Sequence, residues 1–144
     1  MKKISVKNNF LNLIMLNGNK ETSEKLFKKS FKKIQKIFIK KNSIELLKFG
    51  VINSSPVLFL KNIKRKRKKT MEFPFLLNSN IRLFYGIKSI LKTCSNKQNL
   101  SSFYEVLQTE IIQSSKNISQ STKIKKNLHQ ESVVKKKFAN YRWF

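Results

Sequence analysis

Residues 61–69 read Lys61-Asn62-Ile63-Lys64-Arg65-Lys66-Arg67-Lys68-Lys69, a block in which seven of nine side chains are cationic and none is acidic. Short apolar runs flank this block at residues 57–60 and 73–77, and the two prolines of the chain, Pro56 and Pro74, stand at its borders. Two short apolar runs around a polar segment predict a pair of β-strands. The pattern therefore predicts a β-hairpin arm with a charged tip. The alternative is a disordered basic loop or a localisation signal, because like charges in a row repel one another.

The charge of the whole chain indicates the kind of partner. The 144 residues include 32 lysines and arginines but only seven acidic residues, all glutamates, which gives a formal net charge of +25. Such a chain repels itself, and phosphates both attract it and stabilise it. The composition therefore predicts a polyanionic partner.

Outside the arm, apolar residues recur at helical spacing. The first predicted helix covers about residues 10–16 and ends at Asn17-Gly18, and the last runs from about Lys125 to Ala139. The second is capped by Thr22 or Ser23 and has an apolar face of Phe27, Phe31, Ile34 and Phe38, and the third is capped by Ser43 and carries Ile44, Leu47 and Val51. The fourth carries Leu83, Ile87, Ile90, Leu91 and Cys94, and the fifth begins with a Ser102–Glu105 capping box and carries Phe103, Val106, Leu107 and Ile111. Polar loops are predicted over residues 95–99 and 117–122.

The predicted fold class is therefore mainly α, a compact bundle of about six helices with a protruding β-hairpin arm over about residues 56–77. One domain is predicted over residues 1–144, with a basic N-terminal tail over residues 1–9 and a C-terminal tail over residues 140–144.

The groups that catalysis requires are scarce. His129 is the sole histidine, aspartate is absent, and Cys94 is the single cysteine, which we expect to be buried and inert. A metal centre or a Ser-His-Asp triad cannot be assembled from this set in the usual way. The three glycines are isolated, so no phosphate-binding glycine loop is present. No apolar run approaches the length of a membrane span. We therefore predict no enzyme activity, no cofactor, no metal, no membrane association and no small-molecule substrate.

Nucleic-acid binding, in contrast, has the residues it needs. Lysine and arginine supply phosphate contacts, and aromatic rings such as Tyr104 stack on bases where they are not part of a core. For the segment Tyr141-Arg142-Trp143 two interpretations are equal, a packed cap on the helical core and a contact with RNA.

Several segments together resemble one family, the seventh protein of the small ribosomal subunit of bacteria and organelles. Residues 10–20 are similar to its first-helix signature, and Pro56 and Pro74 match the prolines that flank its hairpin arm. Glu110 falls where the fifth helix of the family carries a glutamate. The most specific similarity is the family's closing pattern, which is matched here by His129, Lys136, Phe138-Ala139 and Tyr141-Arg142-Trp143. The resemblance extends from about Phe10 to Trp143.

Departures from the family pattern are concentrated in the arm and the closing helix. The Gly-Gly turn of the family's hairpin is absent, so we expect a loop wider than a type I′ turn. The Arg-Arg of the fourth helix is Ile81-Arg82 here, and Asn140 replaces the histidine before Tyr-Arg-Trp. The alanine-rich closing helix has become Ser132-Val133-Val134-Lys135.

The resemblance implies a structural protein of the small ribosomal subunit that binds the head domain of its rRNA and helps to nucleate head assembly. It implies neighbouring small-subunit proteins as partners, and an arm near the mRNA exit and the exit-site tRNA. Phosphate contacts position such a protein, and RNA is recognised largely by shape. The expected RNA-binding residues are Lys2, Lys3, Lys7, Lys61, Lys64, Arg65, Lys66, Arg67, Lys68, Lys69, Arg82, Lys136, Tyr141, Arg142 and Trp143.

The amino-acid composition also indicates the cellular compartment. Lysine, asparagine, isoleucine, phenylalanine and serine abound, and Ala139 is the only alanine, as AT-rich coding produces. We therefore expect an organelle-encoded protein of a mitochondrial ribosome, with a plastid or the cytoplasm of an AT-rich bacterium as alternatives. Two other functions stay open at this point, a free basic nucleic-acid-binding or chaperone protein and a cationic protein of the membrane surface.

Overall fold

Six helices and one two-stranded hairpin make up the part of the chain that the computed structural model describes, residues 6–39, 42–63, 71–97 and 102–140. The elements are α1 (Val6–Ile14), α2 (Lys20–Ile37), α3 (Ser43–Ser54), β1 (Leu58–Ile63), β2 (Met71–Leu76), α4 (Ser79–Lys97), α5 (Phe103–Ser115), α6 (Gln120–Val134) and a 3-10 turn (Lys136–Phe138). The predicted fold class, a mainly helical bundle with a hairpin arm, is confirmed.

The apolar core lies around α5, which packs against α2, α3, α4 and α6. The apolar residues with at most 1% of their surface exposed come from five helices, and they are Phe10, Ile34, Leu47, Val51, Ile87, Ile90, Cys94, Leu107 and Ile111. Burying each large apolar side chain contributes about 1.5–3 kcal/mol, so this cluster is the main source of stability. The predicted inward faces of α4 and α5 are confirmed.

Gly86 allows α4 to cross the end of α3 at short distance. A Cβ atom at this position would lie 2.9 Å from the carbonyl oxygen of Val51 and 2.6 Å from Oγ of Ser55. Any larger residue would push α4 away from α3, which leads directly into the arm.

The first three helices begin at residues other than those predicted. Helix α1 starts at Val6, within the predicted N-terminal tail, and ends at Ile14. Asn19 occupies the N-cap of α2, and the hydroxyls of Thr22 and Ser23 instead donate to carbonyl oxygens three residues back, at 2.9 and 2.7 Å. Prediction of these residues as caps was wrong because serine and threonine also form such bonds inside a first turn.

Corrections of the same kind apply to α3 and α5. Asn42 is the N-cap of α3, and Ile44, predicted to face the core, is 52% exposed. Ser102 does occupy the N-cap of α5, but its side chain accepts no capping hydrogen bond. The predicted capping hydrogen bond is therefore absent, and Glu105 accepts a hydrogen bond from Nζ of Lys33 of α2 at 2.6 Å.

Two predicted loops are partly helical. Helix α4 continues to Lys97, since neither glycine nor proline interrupts residues 95–97. Helix α6 begins at Gln120, five residues before the predicted start, because Ser119 caps it by accepting a hydrogen bond from the backbone N–H of Thr122 at 3.2 Å. The polar composition of residues 119–122 had indicated a loop, but Ser119, Ser121 and Thr122 are buried.

Cys94 is fully buried against this core. Burial, and then the charge of Glu110, raise the pKa of its thiol to about 12. The predicted burial of Cys94 is therefore confirmed, and its raised pKa disfavours the thiolate, which is the reactive form.

Candidate nucleic-acid interface

The arm is an antiparallel pair whose register runs from Leu58 opposite Leu76 to Ile63 opposite Met71. The predicted contact residues Lys64 to Lys69 belong to the segment that joins the strands, and they lie outside the described residues. Lys61 is exposed in β1, with its Nζ 5.8 Å from the centre of the Phe75 ring. The described arm therefore carries one of the predicted cations on its surface.

Aromatic rings hold the arm against the bundle. Phe59 of β1 stacks on Tyr85 of α4 with 4.8 Å between ring centres, and Phe73 of β2 meets the edge of Phe138 at 6.0 Å. Such ring pairs contribute about 0.5–1.5 kcal/mol beyond the area they bury. An ion pair between Glu72 of β2 and Lys135 adds a third connection.

The base of the arm is bound to α6 by two hydrogen bonds. The backbone N–H of Val57 donates to Nε2 of His129 at 3.0 Å, and Nζ of Lys125 donates to the carbonyl oxygen of Asn53 at 3.0 Å. Because Nε2 accepts a hydrogen bond, the neutral imidazole carries its proton on Nδ1. His129 and Lys125 thus fix the segment where α3 passes into β1.

Arg82 of α4 completes a cationic cluster at this base, which we call the arm-base cluster: Arg82, Lys125 and His129. Burial, and then the charge of Arg82, lower the pKa of Lys125. Burial, followed by the charges of Lys125 and Arg82, lowers the pKa of His129. The Nε atom of Arg82 is buried and has no hydrogen-bond partner among the described residues. Positive charges therefore meet here and repel one another.

The glutamates do not neutralise this cluster. Within the described ranges, five of the seven form ion pairs with lysines elsewhere, and these pairs are Glu21–Lys25, Glu24–Lys28, Glu105–Lys33, Glu110–Lys97 and Glu72–Lys135. Glu45 accepts a hydrogen bond from Asn42 at 3.4 Å. Five of the seven glutamates are thus paired with lysines that do not belong to the arm-base cluster.

The structure gathers some predicted contact residues and separates others. Arg82 lies at the arm base, and Lys136 lines a groove beside Leu58 and Pro74 of the arm. Lys7 lies apart on α1, where it lines a surface cavity of about 360 Å³ between α1 and α2. The remaining predicted residues, Lys2, Lys3 and Tyr141 to Trp143, lie outside the described residues.

Sequence reasoning missed the role of Lys125 and His129 beside Arg82. Lys125 marked only a predicted helix start, and His129 entered only as the sole histidine and as part of the family's closing pattern. Their separation of four residues does place them on one face of a helix, which was an available signal. That face could be assigned to the arm base only once α3 and α4 were positioned against it.

Two further classes of site were searched in the described part of the chain. No group of three or more histidine, cysteine, aspartate or glutamate side chains there could hold a metal ion. Among the helices described, none combines the length and the apolar character needed to cross a membrane.

Curated proteins similar to this chain are ribosomal. A small ribosomal subunit protein uS7m of Danio rerio is 29% identical over 94% of the chain, and the match spans 65% of that protein. A uS7 of Koribacter versatilis is 26% identical over 94% of the chain and 85% of its own length. A uS7m of Reclinomonas americana is 27% identical over 93% of the chain and 82% of its own length. The chain therefore spans less than two thirds of the fish relative but most of the other two.

The family itself is shown by a match over nearly the whole chain. Residues 2–136 match the family described as ribosomal protein S7p/S5e. This range includes all six described helices and the hairpin. The chain belongs to the ribosomal protein S7p/S5e family.

Proposed function

We propose that this chain is a structural, RNA-binding constituent of the small ribosomal subunit. The observation that carries the proposal is the family match over residues 2–136, since the similar proteins are named as proteins of that subunit. A net charge of +25 supports rRNA as the ligand, as does a cationic arm base that forms no ion pair with a glutamate in the described part of the chain.

The finer proposal is that the protein binds the head domain of the small-subunit rRNA and helps to nucleate assembly of the head. The exposed Lys61 and Lys136, together with Lys7 and Arg82, contact phosphates, which position the protein without reading bases. The basic block of residues 64–69 lies near the mRNA exit and the exit-site tRNA. The protein acts by binding and positioning, and it catalyses no reaction.

We further propose that the ribosome concerned is mitochondrial. Relatives of both mitochondrial and bacterial type match the chain, so similarity alone does not choose between them. The AT-rich coding bias supports an organelle genome, because alanine, which needs GC-rich codons, occurs once in 144 residues.

Co-sedimentation tests the proposal directly. Tagged protein expressed in cells should travel with small ribosomal subunits through a sucrose gradient at physiological salt. Ribosome-free fractions and large subunits serve as controls. Recovery of all the protein in the free fraction at that salt would contradict the proposal and favour a free basic nucleic-acid-binding protein.

A further inference from the structure

We propose that Arg82, Lys125 and His129 form a binding site for one phosphodiester group of RNA at the junction between α3 and the arm. The inference rests on the proposed function, since it names the group that this part of the surface receives. It adds two residues, Lys125 and His129, which neither the sequence pattern nor the comparisons assign to RNA contact.

Backbone geometry brings the three side chains to one place. Gly86 of α4 lies against Ser55, and Arg82 precedes it by one helical turn on the same face. Lys125 reaches the carbonyl oxygen of Asn53, and His129 reaches the N–H of Val57. All three side chains, two of them cationic and one a neutral imidazole, are therefore arranged around residues 53–57, where α3 ends and the arm begins.

The cluster lacks the negative charge that would normally accompany it. Among the described residues, none of the five ion pairs includes Arg82, Lys125 or His129. A buried polar atom without a partner lowers stability, and the Nε–H of Arg82 is such an atom among the described residues. A bound anion would remove both the repulsion and the missing hydrogen bond.

The available donors suit a phosphate group. Arginine offers a planar set of N–H donors that binds two phosphate oxygens at once. Lys125 uses one of its three ammonium protons on Asn53, so two remain. With Nε2 of His129 occupied by Val57, its Nδ1–H is the free donor of the imidazole. A phosphate bound here would also affect residues 53–57, the segment that orients the arm, because Lys125 and His129 already form hydrogen bonds with that segment.

His129 provides a local reporter, since it is the only histidine of the chain. The charges that act on it are Lys125 on its own helix and Arg82 on α4, and both lower its pKa. On the other elements that pack on α6, Glu72 of the arm is paired with Lys135 and Lys61 of β1 is exposed. A phosphate in the site would offset the two repulsions and raise the pKa of His129.

The experiment follows the Cε1–H resonance of His129 by NMR during titration with inorganic phosphate at constant ionic strength. We expect a saturable shift and a higher titration midpoint. Arg82→Gln should abolish both, whereas Lys123→Gln, an equal charge change at an exposed position of α6, should preserve both. Circular dichroism establishes that each variant is folded. Arg82→Lys serves as a second variant, and it should weaken the response without abolishing it.

A second measurement distinguishes RNA from free phosphate as the ligand. Lys125→Gln should lower affinity for small-subunit rRNA about tenfold at moderate salt and reduce the salt slope by about one. Lys123→Gln should have a smaller effect. If phosphate shifts His129 equally in Arg82→Gln, or if the two lysine variants bind rRNA equally, the cluster binds an adventitious anion only and the inference is wrong. Failure of the unaltered protein to bind rRNA would instead contradict the proposed function.

Discussion

Polar side chains occupy several of the most deeply buried positions of the bundle. Glu110 is fully buried, and it accepts hydrogen bonds from Nζ of Lys97 at 3.1 Å and from the backbone N–H of Ser121 at 3.3 Å. Ser121 in turn shares a hydrogen bond of 2.7 Å with Ser119, the N-cap of α6. Buried polar groups are tolerated when they are paired in this way. At the scale of single residues, Glu110 therefore links α4, α5 and the start of α6.

We predict that Glu110→Ala lowers the free energy of unfolding by about 1–3 kcal/mol, the cost of leaving a buried N–H unpaired. Glu110→Gln should cost less, because its amide oxygen can still accept from Ser121. Urea denaturation measures both. Glu21→Gln is the matched control, since Glu21 belongs to an exposed ion pair with Lys25 and should matter little. Equal stability of Glu110→Ala and the unaltered protein would refute this role.

A second prediction concerns the rings of α2. Phe27 is 5% exposed and contacts both Phe10 and Phe31, at 5.9 and 4.1 Å between ring centres. Phe27→Ala should therefore destabilise the protein by about 3–5 kcal/mol, because it removes a buried ring and leaves a cavity. Phe31→Ala should cost less, since Phe31 is only partly buried against the core.

Thermal or urea unfolding of both variants tests this order. Phe49→Ala is the control, because Phe49 is 58% exposed and should change stability by no more than about 0.5 kcal/mol. A greater loss at Phe31 than at Phe27 would show that α2 presents a different face to the core.

At the scale of elements, the arm is held by contacts with α4, α6 and the 3-10 turn. The rings of Tyr85 and Phe138 pack against rings of the arm, and His129 accepts a hydrogen bond from Val57 at its base. An isolated two-stranded hairpin has marginal stability at best, so these contacts decide how the arm is directed.

The link through His129 should make stability depend on pH. Because the folded pKa of His129 lies below its ordinary value of about 6.5, the unfolded chain binds more protons near that pH. The stabilisation is complete above about pH 6.5 and is lost as the pH falls through the folded pKa. His129→Gln should remove this dependence between about pH 7.5 and 5.5, as urea denaturation would show. A decline of the same size in His129→Gln would assign it to other groups.

A further prediction concerns the segment that joins β1 and β2. Replacing Lys64 to Lys69 with serines should leave cooperative helical unfolding unchanged, because the described core is built by the helices. Affinity for rRNA should fall, and the slope of its salt dependence should decrease by up to one for each phosphate that the altered segment no longer binds. Circular dichroism and filter binding measure the two effects. Loss of cooperative unfolding would indicate that the block stabilises the bundle.

At the scale of the whole molecule, the excess of positive charge dominates. Five ion pairs form in the described part of the chain, and they engage five of the 32 lysines and arginines. A surface of this kind binds RNA chiefly by releasing counterions from phosphates.

We therefore expect affinity for rRNA fragments to depend steeply on salt. If about 6–10 phosphates are neutralised, affinity should fall ~10³- to 10⁵-fold between about 50 and 200 mM salt. Filter binding across this range gives the slope, and an unrelated RNA of equal length should bind more weakly with a similar slope. A nearly flat dependence would rule out charge as the main source of affinity.

Sequence alone determined the helical class, the position of the arm, the inward faces of α4 and α5, and the family. These depend on local spacing and composition, as with Leu107 and Ile111, which lie one helical turn apart and are both fully buried. Helix limits were predicted less well. A serine-rich segment is compatible with a loop, an N-cap or the first turn of a helix. Ser119 is an N-cap in the structure, where the neighbouring Ser121 is buried and donates its backbone N–H to Glu110.

Only the tertiary structure decided which cations act together. His129 and Val57 are 72 residues apart, as are Lys125 and Asn53, and Arg82 comes from a third element. No periodicity within α6 specifies which face of α3 or α4 it meets, because that depends on how the helices pack through their buried side chains and on the close approach at Gly86. The arm-base cluster exists because packing placed two like charges, Arg82 and Lys125, beside His129, where, in the described part of the chain, no glutamate forms an ion pair with them.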